Sequence, residues 1–477
     1  MSAHLDVDQP RHATVRGAAL GYLLYVAAPA ALIVFALVRW GSSSGAANHP
    51  LSTVVDKGYV LAVAVTVVVV TAHLFGALFK RLGQPWVLGE MIAGVLLGPS
   101  FLGAVAPDLA HRLFPETVVP FLQGIAHLGV VFFMFLVGLE LQLKTLRGAG
   151  AALAVVGHST IAVPFVGGVA LALLLREGYQ PATTSPMVFV LFVGLALGVT
   201  AFPVLARILD DCRMRDTRIG NIGLATAAIC DVTAWCLLAA VIAMSRAGSG
   251  SGTVMVIALT VIFAAVMLLV VRPALGWAMR RMAARGTDAQ VAMALLTCLV
   301  LLCGLITDGI GIHAIFGAFL AGLIMPRSAK PVQVFASKVE GLTLWLLLPV
   351  FFATVGLKLS LGPSIMAGGL ATFALIVAVA VGGKVLGTAG PARMAGLTWR
   401  ESTQLSIMMN CRGLTELVVL NLGLSLAIIE TRLYGLLVML TLLSTLATAP
   451  LLRATSAKVP IAAKAPVNVA KAPVAAN

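Results

Sequence analysis

Asp231 lies midway along GLATAAICDVTAWCLLAAVIAM, residues 223–244, with no basic residue within a helical turn of it. A carboxylate in such an apolar run can hold a proton or a small hard cation, but hardly both at once. Competition for one carboxylate is enough to make an exchanger, because each ion discharges the site that the other must fill. Lys384, in VAVAVGGKVLGTAG, is a second charge in an apolar run. Ionisable residues in such segments are expensive, so each is a functional candidate, with a buried structural ion pair as its rival. Pro203 in LGVTAFPVLARIL and Pro349 in LWLLLPVFFATVGLKL sit mid-segment, Thr354 and Gly356 following the latter. A proline there removes one backbone bond and frees carbonyls that something must satisfy. Pro203 precedes Asp231 by 28 positions and Pro349 precedes Lys384 by 35, so each half offers a broken helix followed by a helix bearing one charge. Interrupted segments at corresponding places in two halves point to a secondary transporter's midplane site.

The elements that position these residues follow from composition. The chain has 477 residues, 60% hydrophobic and only 10% charged, which excludes a soluble globular protein. Apolar runs of about 20 residues, enough to cross a bilayer as helices, recur from Gly17 almost to Arg453. Lipid offers no partner to open backbone groups, and membrane strands would read as shorter alternating segments. The expectation is an all-α polytopic membrane protein with about 14 spans near 17–40, 58–79, 85–104, 119–141, 149–175, 185–209, 219–245, 252–274, 289–307, 310–326, 340–357, 366–391, 401–425 and 432–452. Residues 1–54 would be a cytoplasmic N-terminus with an extra helix, 55–452 the membrane domain, and 453–477 a disordered tail. Assigning the connections alternately puts 23 Lys and Arg on one face and 7 on the other, with Lys384 and Arg412 inside spans. That asymmetry predicts both termini in the cytoplasm, and a plasma or inner membrane.

Loop charge thus accounts for the net +14, and no nucleic-acid partner is expected. The six cysteines show no CxxC pairing and read as small apolar side chains. His73, His127 and His158 are isolated in apolar stretches, read as satisfied by neighbours rather than metal-bound, and no HExxH occurs. No phosphate-binding glycine loop appears, so no cofactor is expected. The first apolar run is too long for a secretory signal and ends in the anchor pair Arg39-Trp40, which predicts a retained helix.

At these residues the chain resembles the monovalent cation:proton antiporter-2 family over about residues 55–452. The motifs are GQPWVLGEMIAGVLLGPS at 83–100, FMFLVGLEL at 133–141, TAFPVLARIL at 200–209, the Asp231 segment, GIGIHAIFGAFLAGLIMP at 309–326, LPVFFATVGLK at 348–358, GKVLGT at 383–388 and MNCRGLTELVVLNLGL at 409–424. The resemblance implies a homodimer with inverted repeats and two crossed broken helices. Its core domain would move against a dimerisation domain in an elevator-like cycle. It implies that Asp231 binds a monovalent cation, Na+ or K+, in exchange for H+, with Thr200 its neighbour on the broken helix and Lys384 a core charge. Cys230 and Thr354 join the expected ion site, and Glu140, Arg412 and Glu416 match charged family positions. Arg412 and Glu416 also stand i, i+4, so a structural ion pair is an equal reading.

The chain departs from the family immediately before Asp231: where members carry Asp-Asp, Asn-Asp or Gln-Asp, this chain has Cys230-Asp231. A buried thiol keeps its proton, so one carboxylate titrates and one-for-one electroneutral exchange is expected. The substitution removes an acid that Lys384 would pair with, leaving it Asp231 or backbone carbonyls. The short tail is expected to exclude a nucleotide-binding regulatory domain. Rival readings are a channel-like or ligand-gated cation path on the same scaffold, and a sodium-coupled solute symporter, which needs a larger polar cavity. An enzyme is not expected, since no nucleophile–base pair appears in neighbouring spans.

Overall fold

The computed structural model describes residues 50–140, 150–247, 250–284, 289–359 and 369–455, and their regular elements are helical. Among the described residues, eleven helices are long and apolar enough to cross a membrane. A pair bent by 41° and the shorter Ala314–Ile324 join them. Together they occupy thirteen of the fourteen expected positions; 17–40 and the tail beyond Thr455 lie outside the described residues. The expected span at 310–326 is corrected in length: its eleven helical residues rise about 16 Å, roughly half a hydrocarbon core.

In chain order the helices are α1 (Pro50–Arg81), α2 (Trp86–Leu97), α3 (Leu102–Val105), α4 (Pro107–Leu113), α5 (Val119–Glu140), α6 (Gly150–Tyr179), α7 (Pro186–Gly198), α8 (Phe202–Asp211), α9 (Arg218–Ala247) and α10 (Gly250–Val266). There follow α11 (Arg272–Ala284), α12 (Ala289–Ile310), α13 (Ala314–Ile324), α14 (Lys330–Leu342), α15 (Leu348–Leu357), α16 (Gly369–Met394), α17 (Trp399–Met409), α18 (Leu414–Ser425) and α19 (Thr431–Thr455). They divide into two bundles that pack chiefly within themselves. The first holds α6 to α9 and α16 to α19. The second holds α1, α2, α5 and α12 to α15.

The second bundle is drawn together where glycines let backbones touch. An added Cβ at Gly138 would strike the Phe319 carbonyl oxygen, and one at Gly322 that of Phe135, where α5 crosses α13. The α2–α15 crossing repeats the arrangement with Gly94 against Phe352 and Gly356 against Gly94. Each crossing joins a helix of the first half to one of the second, and close packing of small residues is what holds helices together in lipid. Gly356→Ala is expected to cost about 1–3 kcal/mol or more, because the obstacle is backbone that cannot rotate away. Thermal unfolding in detergent checks this against Gly382→Ala, whose Cβ would meet nothing within 4 Å.

The two chain breaks are not both at prolines. The first lies at Val199–Ala201, and Pro203 occupies the opening turn of α8, where its missing N–H is no loss. Pro349 is corrected: it breaks no helix, and residues Lys330–Leu357 form one span. A π-turn over Thr343–Leu347 shifts the hydrogen-bond register, so Pro349 falls in the first turn of the new register and leaves no open gap. The second break lies instead at Asn410–Gly413, between α17 and α18. Gly413 has φ 145°, a conformation that side chains resist, and its φ lets the chain leave α17 and restart.

Hydrogen bonds seat the charged helices of the first bundle. The Ser159 hydroxyl donates to the Gly387 carbonyl at 2.8 Å and Thr160 bonds Thr388 at 3.0 Å, tying α6 to the helix of Lys384. At the start of α17, Thr398 and Glu401 form a capping box, and Arg218 at the start of α9 bonds Glu401 at 3.0 Å. The helix of Asp231 is thereby anchored to the second broken helix.

Candidate functional site

Where the two breaks cross, hydrogen bonds run from each broken segment to the other. The Ala201 amide donates to the Cys411 carbonyl at 3.0 Å, and the Thr200 hydroxyl to that of Met409 at 2.9 Å. Arg412 reaches back to the end of α7, donating through Nη1 to Ala196 O at 3.0 Å and through Nη2 to Leu197 O at 2.7 Å. Its Nη1 also meets Glu416 Oε1 at 2.7 Å, so the i, i+4 pair exists and is wholly buried. Lys384 completes the set: Nζ donates to Gly198 O and to Thr200 Oγ1, both at 2.6 Å. Three successive carbonyls at the open end of α7 are therefore taken by two fixed cations, as a helix C-terminus favours.

Of the two partners open to Lys384, the backbone carbonyl is the one it takes, together with the Thr200 hydroxyl. That hydroxyl accepts from Lys384 and donates to Met409, linking three helices through one oxygen. Thr200→Val is expected to lower thermal stability in detergent by about 1–3 kcal/mol, since it leaves a buried ammonium and a carbonyl each short of a partner.

Asp231 differs from its neighbours. It is 1% exposed, and neither carboxylate oxygen has a partner within hydrogen-bond distance. The Phe202 amide, at the opening of α8, acts on it as a weak backbone donor short of full hydrogen-bond geometry, and Lys384 acts through its charge. Cys230 beside it bonds the Gly157 carbonyl through Sγ at 3.3 Å. A buried acceptor with no donor calls for an explanation, and a proton or a bound cation supplies one. Thr200, Lys384, Arg412 and Glu416 are thus brought together around the crossing, with Asp231 and Cys230 beside it.

Glu140 and Thr354 are not at this crossing. They line separate cavities between the two bundles, on opposite faces. A cavity of about 340 Å³ on the face of Arg215 is lined by Glu140, Glu340, Arg207 and Asp210, and reaches Pro203 beside Phe202. Arg327 lies outside the spans on this face; burial lowers its pKa and Glu140 draws it back up. A cavity of about 220 Å³ on the face of Lys358 is lined by Thr354, Gln123, His127, His313 and Asn421. Thr354 is corrected as a site residue: its hydroxyl bonds the Phe351 carbonyl of its own helix at 2.8 Å and faces this cavity. Lys358 Nζ donates to Asn421 Oδ1 at 2.8 Å, joining one bundle to α18 of the other, and burial lowers its pKa. Between the cavities stand Val130 and Phe133 of α5, Leu348 and Phe351 of α15, and Leu414 and Val418 of α18.

Sequence reasoning did not find the carbonyls of Ala196, Leu197, Gly198 and Met409, which belong to the site through backbone atoms. Nor did it find that Arg412 stands in the break. The signal available was Asn-Cys-Arg-Gly at 410–413, a run without helix-forming strength closed by glycine.

Known proteins match this architecture. The family described as the transmembrane sodium/hydrogen exchanger matches residues 67–454. The chain is 38% identical over 388 residues to the Na(+)/H(+) antiporter NhaS4 of Synechocystis sp., covering 81% of this chain and 95% of that protein. It is 37% identical to Cation/H(+) antiporter 20 of Arabidopsis thaliana over 82% of this chain, and 33% identical to K(+)/H(+) antiporter 1 of Saccharomyces cerevisiae over 80%. It spans 48% and 45% of those two longer proteins. Among solved structures, the sodium proton antiporter MjNhaP1 of Methanocaldococcus jannaschii aligns with a TM-score of 0.59 over 84% of this chain and 97% of that one, at 14% identity, a likeness of fold. With its two crossed breaks, its buried Asp231 and a match over most of its length, the chain belongs to the sodium/hydrogen exchanger family.

Proposed function

We propose that this protein exchanges a monovalent cation, Na+ or K+, for protons across a membrane, with Asp231 carrying each in turn. The observation that carries the reading is a buried carboxylate with both oxygens unpartnered beside the crossing of two broken helices. Because Lys384 is committed to Gly198 and Thr200, Asp231 has no internal counter-ion in contact. Its bare charge is then costly to take past an apolar constriction, and cargo must neutralise it first. That cost is what couples the two ions.

The first bundle is the moving core. Its crossing is cross-linked by side-chain and backbone bonds, so it travels as a body against the glycine-packed second bundle in an elevator-like cycle. The cavities on the Arg215 and Lys358 faces are the inner and outer vestibules, an orientation supported by the excess of basic loops on the former face. The protein acts in the plasma or inner membrane as a homodimer. With Cys230 neutral, one proton replaces one cation and the exchange is electroneutral.

Proteoliposomes loaded with a pH-sensitive dye test this. Addition of Na+ or K+ is expected to alkalinise or acidify the lumen as the cation gradient dictates, at a rate unaffected by an imposed potential. Cation flux without proton movement would defeat the antiport reading, and a voltage-dependent rate would defeat one-for-one stoichiometry.

A further inference from the structure

His127 of α5 and His313, immediately before α13, have no part in the crossing, yet their rings meet. The centroids are 5.1 Å apart at an interplanar angle of 53°, and both residues line the cavity on the Lys358 face. With metal–nitrogen bonds of about 2.0–2.1 Å, a ring centroid lies about 3.2 Å from a bound ion, so two rings at a tetrahedral angle stand about 5.2 Å apart. The observed spacing of 5.1 Å is close to that value.

The placement of His313 is costly and well supported. Its φ is 87°, a region that side chains other than glycine's seldom enter, and such strain persists where the surroundings impose it. The turn before it is held by the Thr307 hydroxyl, which accepts from the Gly317 amide at 3.2 Å. Because α5 and α13 touch through Gly138 and Gly322, the two rings ride on one rigid unit. Asp308 bears on His127 electrostatically, a negative charge of the kind that supports metal-bound histidines. Gln123 lines the same cavity, where water can complete the coordination. The opposite wall is α18 of the first bundle, through Val418, Asn421 and Leu422.

We infer that His127 and His313 form a site for a transition-metal dication of the zinc type, and that its occupation arrests exchange by filling the vestibule against α18. Imidazole pairs favour such ions over Mg2+ or Ca2+. The arrest rests on the antiport reading; the metal site does not.

Zn2+ alone, titrated into the purified full-length protein against a chromogenic chelator, tests the site. Saturable binding is expected, weakened at least about tenfold by His127→Ala, by His127→Gln and by His313→Ala, and about tenfold by Asp308→Asn. Matching thermal unfolding curves for His127→Gln and the parent keep lost binding from being lost folding. Parent-like Zn2+ binding in the folded histidine variants overturns the site. In proteoliposomes, Zn2+ on the Lys358 face is expected to stop exchange by the parent and spare His127→Gln. If Zn2+ binds to the parent and exchange continues, the arrest is overturned and the site stands. Absence of exchange by the parent without Zn2+ would strike the antiport reading instead.

Discussion

Asp231→Asn is expected to reduce cation-dependent proton movement to the level of empty liposomes while leaving the protein at least as stable as the parent. Asparagine keeps the shape of the side chain but neither takes a proton near neutral pH nor offers a negative charge to a cation, so both halves of the exchange fail together. Stability should move the other way. In the parent both oxygens of Asp231 are buried without a donor, and an ionised group so placed costs more than a neutral amide. Dye-loaded proteoliposomes read the first effect and thermal unfolding in detergent the second. A variant that exchanged as fast as the parent would remove Asp231 from the mechanism; one that lost activity by unfolding would show that the carboxylate has a structural partner.

The largest expected loss of stability comes from Arg412→Met. The guanidinium holds the carbonyls of Ala196 and Leu197 and one oxygen of Glu416, and no part of it is exposed. Methionine fills much of the volume and makes none of these bonds. Breaking one side of a buried ion pair typically costs about 3–5 kcal/mol, because the partner charge is left without compensation. The double variant Arg412→Met with Glu416→Leu is expected to recover part of that loss, as removing both charges spares the second from isolation. Arg412→Lys should not substitute, since an ammonium lacks the planar fork that spans two carbonyls and a carboxylate. A double-mutant cycle on thermal unfolding measures the coupling, and additivity of the two single changes would mean that the pair does not hold the crossing.

Most of the helical layout was legible because lipid leaves the chain few choices: a long apolar run must form its own hydrogen bonds, so run length alone places the spans. The same reasoning located Asp231 and Lys384, for an isolated charge in such a run is conspicuous. It misplaced the second broken helix for an identifiable reason. Proline is the visible mark of a helix defect, but Pro349 is absorbed by the π-turn over Thr343–Leu347, which leaves no mark in the composition, while the true break at 410–413 contains no proline. Gly413 and the long-range bonds of Arg412 make that break, and a contact between residues more than 200 positions apart leaves no local pattern. Lys384 shows the same limit. Its charge was conspicuous, but its commitment to Gly198 depends on how α16 and α7 are apposed. His127 was read as isolated because the fold, and not sequence spacing, makes it a neighbour of His313.

The occupied carbonyls at the end of α7 bear on ion choice. A filter that sorts ions by size does so by replacing their hydration shells with backbone oxygens held at a set spacing. Here Ala196, Leu197 and Gly198 present such oxygens, and Arg412 and Lys384 already occupy them. On the exchange proposed above, a cation reaching Asp231 would not find these oxygens free and would keep part of its own water. The difference in radius between Na+ and K+ would then be blunted by the shell that both retain. The two fixed charges that keep the broken helix together would in this way make the site weigh charge before it weighs size.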